Sequence, residues 1–239
     1  MTSWRQIQAV SGLTFGIFLV LHLVCHYTLL HSWEFGNHTM LHTVRKVYQT
    51  SYFEFGLLLL PLLMHWTSNG VIYAERQKFE ARKKPRQEDS NVKQRDPGGT
   101  LELKAHRYAG YFLTLSIVGH VFATRLSPLM VLNDPSRYDY TFVKLVNDLI
   151  PFGLFRAYLI IFGMCANWHL IYGTRRAIAT LRGRSSRVSY FPMELKVLAM
   201  IMHVLIFCAV LAVTGHFYEI PADDNVMQDF VKLKRLMGM

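Results

Sequence analysis

Seven histidines fall within strongly apolar stretches of the chain: His22, His26, His65, His120, His169, His203 and His216. An ionisable side chain inside such a stretch is expensive to bury and marks a functional site by default. Two of the stretches share a spacing. In SGLTFGIFLVLH nine residues separate Gly12 from His22, and in AGYFLTLSIVGH nine separate Gly110 from His120. A second shared pattern joins HWTSNGVIYAER, with His65, Gly70 and Arg76, to WHLIYGTRR, with His169, Gly173, Arg175 and Arg176. Two imidazoles at one depth on facing helices can clamp a flat macrocycle, and haem iron takes axial histidines. With both axial positions filled no position is left for O₂, which favours electron transfer. Glycines such as Gly12 and Gly110 let a bulky ring approach the backbone. Arg76, Arg175 and Arg176 could pair with the propionates of a haem.

Each of these residues has a plainer reading. A histidine within the bilayer often joins helices by hydrogen bonds. His26 lies one turn from His22 on the same face and is a rival ligand. His203 and His216 have no matched partners and read as structural or quinone-adjacent. Gly12, Gly16 and Gly70 also suit close helix packing, Trp66 and Trp168 suit a pocket wall, and the arginines suit snorkelling at a helix end. The histidines are too far apart in sequence for a zinc fingerprint. No apolar run carries an isolated carboxylate near its centre, which argues against a proton pump or a carboxylate metal site. The chain has no dinucleotide fingerprint and no cysteine cluster, so no flavin or iron–sulfur site of its own is expected. Cys25, Cys165 and Cys208 read as buried thiols.

The elements that must position the histidines are five long apolar runs: Val10–Leu30, Tyr52–Tyr73, Tyr108–Leu132, Phe152–Tyr172 and Val197–Phe217. Runs of about 18 or more apolar residues span a bilayer as helices. The expected fold is therefore an all-α integral membrane protein, a single membrane domain over residues 1–239 with five helices in a bundle. No small-residue cleavage site follows the first run, which reads as a retained helix. The net charge of +10 follows topology rather than nucleic-acid binding: ten Lys/Arg lie in the basic connecting loop 75–107 and six between the fourth and fifth runs, against eight on the opposite side. That bias places the N-terminus on the matrix or cytoplasmic side. Neighbouring helices run in opposite directions, so His22 and His120 share one depth and His65 and His169 another, roughly 10 Å nearer the basic side. The matched patterns also suggest an internal repeat of helices 1–2 and 3–4. YTFVKLVNDLI, and VMQDFVKLKRLM within the polar tail 222–239, are amphipathic and expected either on the bilayer surface or docked on neighbours.

On these residues the chain resembles the five-helix cytochrome b membrane anchor of succinate dehydrogenase and fumarate reductase. QAVSGLTFGIFLVLHLVCHYTLL looks like that family's first helix, and ELKVLAMIMHVLIFCAVLAVTGHF is similar to its last in the Leu-Lys start and late Gly215. The resemblance implies that His22 and His120 hold a distal haem b and His65 and His169 a proximal one. It further implies flavoprotein and iron–sulfur subunits docked on the basic N-terminal side, and quinone as the membrane substrate. The family's quinone-side carboxylate has no clear counterpart; Glu34 and Glu54 are candidates. VRKVYQTSYFEF, PLLMHWTSNG and GHVFATRLSP also look like the transmembrane domain of a fungal mitochondrial adaptor family tied to lipid homeostasis. That likeness implies a non-enzymatic alternative on the same scaffold. It favours a mitochondrial inner membrane, with the outer membrane or a bacterial plasma membrane as alternatives.

Overall fold

The computed structural model describes residues 3–82, 100–132, 137–183, 191–236 and 238. Among them the chain is helical, with no strand, and five helices are long and apolar enough to cross a membrane: Trp4–Leu30, Ser51–Arg82, Leu101–Val131, Pro151–Leu181 and Met193–Val213. The first four reach further toward the basic side than the apolar runs alone suggest. The first begins at Trp4 because Ser3 and Gln6 form a reciprocal capping box. The second continues to Arg82, with Arg76 and Glu80 paired one turn apart at 2.7 Å, and the third starts after the Thr100 N-cap. Much of the expected basic connector is thus helical extension, while its centre, 83–99, lies outside the described residues.

The fifth helix has the expected length of 21 residues but lies four residues earlier, and ends at Val213. Gly215 has φ 79°, its N–H reaches the Ala212 carbonyl at 3.0 Å, and the His216 N–H reaches that of Leu211 at 2.9 Å. This paired closure needs a left-handed residue, which glycine adopts without steric strain.

The first span is central. It packs along the second and the fourth, and the fourth in turn carries the third and the fifth. The second and third spans barely touch, apart from one ion pair. Leu23, Ile206 and Val210 form a core between the first and fifth spans, backed by Leu159, Ile160 and Leu170 of the fourth. The outward faces stay apolar and uncovered: Ile17, Leu115 and Val204 are 59%, 80% and 57% exposed. Apolar exposure on every span suits a lipid surround. Cys165 and Cys208 are only partly buried, which corrects the expectation of three buried thiols; Cys25 is buried.

Two spans change winding on the side away from the N-terminus, the far side. Glu54–Leu59 and Phe122–Leu126 are π-helical turns, each followed within two residues by a proline, Pro61 or Pro128. A proline lacks the N–H and crowds the carbonyl four residues back, so the helix widens there. The two amphipathic segments dock on neighbours. Tyr140–Leu149 and Asp224–Leu236 pack together over Leu132 through Phe142, Phe230 and Leu233, and cap the bundle on the far side.

The fourth and fifth spans are in close contact at Gly163, where an added Cβ would lie 2.6 Å from Ile206 Cγ2. Gly163→Ala should lower stability by about 1–3 kcal/mol through overpacking. Thermal unfolding in detergent measures it, and the Gly163→Ala/Ile206→Ala double variant should lose less than the two single losses added together.

Candidate functional site

Histidines from four spans meet in the bundle as two pairs. On the second span, His65 lays its ring against the first span at Gly12, where an added Cβ would sit 3.1 Å from both Cε1 and Nδ1. His65 Nδ1 lies 3.2 Å from the Gln8 carbonyl. On the fourth span, His169 lies against the third at Gly110, where an added Cβ would come within 2.9 Å of Cε1 and 3.2 Å of Nδ1. His169 Nδ1 lies 3.2 Å from the His106 carbonyl. In both halves the accepting carbonyl belongs to the residue four before the glycine. A carbonyl can only accept, so Nδ1 is the donor in both rings and Nε2 carries the lone pair. A ligand histidine is normally oriented in this way, by donating its other ring nitrogen to a backbone carbonyl. The His65 and His169 ring centroids are 6.2 Å apart, with planes at 86°.

The second pair lies toward the far side. His22 and His120 have centroids 6.1 Å apart and planes at 79°. Phe18 stacks on His22 at 5.3 Å, Tyr48 meets it edge-on at 6.5 Å, and Phe162 lies against His120 at 5.1 Å. His26 joins this pair: its Nε2 is 3.1 Å from His22 Nε2 and its Nδ1 is 2.9 Å from the Tyr140 hydroxyl. Tyr140 also lies 3.5 Å from Cys25 Sγ. Burial holds the Tyr140 phenol well above its ordinary pKa, so its proton stays in place. Beside it, burial also pushes the Asp139 carboxyl up, against the opposing effect of its donors Asn37 and Thr141.

In both pairs the ring centroids stand at about the spacing of two imidazoles on one iron. Two metal–imidazole bonds of about 2 Å each separate the ring centroids by about 6 Å. A haem brings four nitrogens of its own and asks the protein for two ligands. Among the described residues no group of three or more His, Cys, Asp or Glu is arranged to hold a bare metal ion.

Comparison with known proteins finds no match. No family model, no curated protein and no solved structure is significantly similar to the chain. The geometry of the site therefore has to carry the functional reading.

The other residues singled out in the sequence are distributed differently. Arg76 is exposed and pairs with Glu80 at 2.7 Å. Arg175 lies over the Phe191 ring at 5.7 Å, and Arg176 is close enough to His106 to act on it electrostatically. His203 Nε2 lies 3.2 Å from the Met164 carbonyl of the fourth span, with its other ring nitrogen against the Ala199 carbonyl of its own helix. Together with the fully buried Asn167, which donates to Ala199 at 3.2 Å, it ties the fifth span to the fourth. His216 accepts from Arg156 at 2.8 Å. Trp168 packs on Tyr172 and Phe191. Glu34 is exposed, and Glu54 forms a two-point ion pair with Arg125 at 2.6 and 2.8 Å, joining the second and third spans where they otherwise barely meet.

Sequence reasoning missed His106 and Tyr140. His106 stacks on His169 at 4.2 Å with planes at 14°, and its Nδ1 is buried without a hydrogen-bond partner among the described residues. Extending the repeat back one turn from Gly110 finds it, as the same step from Gly12 finds Gln8. No local pattern points to Tyr140, which arrives from a separate helix.

Gly110→Ala should displace the His169 ring and destabilise the fold by about 1–3 kcal/mol. Gly70→Ala, with nothing within 4 Å of the added Cβ, should instead be neutral or stabilising by about 0.5–1 kcal/mol. Parallel thermal unfolding of the two variants checks the contrast.

Proposed function

We propose that the chain is a haem b-binding membrane anchor that passes electrons between a flavin/iron–sulfur dehydrogenase of the succinate dehydrogenase/fumarate reductase type and membrane quinone. The observation that carries this reading is the repeated device at His65 and His169. In each half a carbonyl fixes the ring, a glycine makes room for it, and Nε2 has no hydrogen bond among the described residues, with the ring centroids at a spacing that suits an iron between them. A haem held in this way supplies one-electron exchange without an open coordination position.

The chain's own residues do the rest. His65 and His169 would hold the haem nearer the N-terminal side, and His22 and His120 the one nearer the far side. Gly12 and Gly110 let the His65 and His169 rings approach the neighbouring helix. The apolar spans keep water away, and the cationic Arg176 near His106 suits a propionate. The basic excess on the N-terminal side suits acidic surfaces of soluble flavoprotein and iron–sulfur partners, and by the charge rule that side faces the matrix or cytoplasm. A mitochondrial inner membrane fits this assignment.

The test is a dithionite-reduced minus oxidised spectrum of the purified protein with a pyridine haemochrome count. Two haems b per chain are expected. His120→Ala should remove the far-side signal and His169→Ala the other. Spectra unchanged in both variants would overturn the ligand assignment, and a protein without haem after expression with ample haem would leave a helical scaffold.

A further inference from the structure

The two sites differ in a way that the repeat does not predict. At the N-terminal-side pair each ring has one nitrogen tied to a carbonyl and, among the described residues, no hydrogen bond at the other. On the far side, His22 Nε2 is engaged by His26 Nε2 at 3.1 Å. It is His26 that shows the orientation of a ligand, with Nδ1 held by the Tyr140 hydroxyl at 2.9 Å and Nε2 turned inward toward His22. Tyr140 is itself fixed: it is 2% exposed, its hydroxyl lies against Cys25, and its backbone N–H reaches Asn37 Oδ1 at 3.4 Å. The two Nε2 atoms converge on one spot, so exchanging one donor for the other moves the donor nitrogen by little more than one hydrogen bond.

We propose that His26 is a reserve axial ligand of the far-side site and that Tyr140 is the residue that positions it. The proposal rests on the haem reading above and deepens it. His22 and His26 offer one iron two donors from the first span, opposite His120. Ligation by either imidazole breaks the bond between the two Nε2 atoms in a dry interior, so the far-side site should bind haem more weakly than its counterpart and fill second. At the N-terminal-side pair the third imidazole, His106, instead lies flat on His169 at 4.2 Å and, among the described residues, makes no hydrogen bond to either ligand nitrogen.

The test compares full-length wild type, His22→Ala, His22→Ala/His26→Ala and His22→Ala/Tyr140→Phe, each purified with haem supplied in excess. Haem per chain and low-temperature EPR of the oxidised protein are the readouts. His22→Ala should keep two low-spin haems, with the far-side g-values shifted. The double histidine variant should fall to one haem, and the Tyr140→Phe background should show far-side haem that is lost or turned high-spin. The remaining haem in each variant shows that the bundle is folded. A His22→Ala protein with one haem, beside a wild type with two, overturns the reserve-ligand proposal alone. Retention of both low-spin signals in His22→Ala/Tyr140→Phe overturns the role of Tyr140. A wild type without haem overturns the proposal together with the reading beneath it.

Discussion

No water reaches the middle of a bilayer, so an imidazole buried there must find its hydrogen-bond partner on a neighbouring helix. The backbone carbonyls of an α-helix are already engaged along their own axis, yet each keeps a second lone pair. To reach one, a histidine ring must come in against the helix surface, and any Cβ in the way would stop it. Gly12 and Gly110 remove that obstacle, and Gln8 and His106 supply the carbonyls. The pairing of the first span with the second, and of the third with the fourth, follows from this contact as much as from apolar packing.

Two such pairs set face to face account for the rest of the bundle. The first and fourth spans meet along their length and bring the four histidine-bearing helices around one axis. The fifth lies outside, joined by the polar contacts of Asn167 and His203 rather than by a site of its own. The second and third spans are left nearly apart, and the Arg125–Glu54 ion pair joins them at the far side. Two charges within a membrane span are tolerable only as a close, hydrogen-bonded pair. This one sits where both helices have loosened into π-turns.

The far-side cap breaks the symmetry. Its helices bury Tyr140 and Phe142, and Tyr140 reaches His26, a residue with no counterpart in the other half. Position 124, which matches 26 in the repeat, is a threonine whose hydroxyl turns back to the His120 carbonyl at 2.7 Å. Similar sequence spacing therefore produces one site where the third imidazole stacks flat on a ring and another where it meets a ring nitrogen head-on.

The five spans, their helical state, their order and the grouping of the four histidines into two pairs were determined by the sequence itself. Long apolar runs have one stable form in lipid, and a shared glycine-to-histidine spacing survives the regular geometry of a helix. The helix ends were less legible, because capping at Ser3 and the left-handed turn at Gly215 act through a few local atoms that hydropathy averages away. Only the tertiary structure decided that His106 stacks on His169, that Arg76 turns to Glu80, that His203 joins helices, and that Tyr140 stands behind His26. These outcomes depend on helix rotation and on contacts between segments more than one hundred residues apart, such as His26 and Tyr140. The periodicity of one helix carries no information about the rotation of its neighbour.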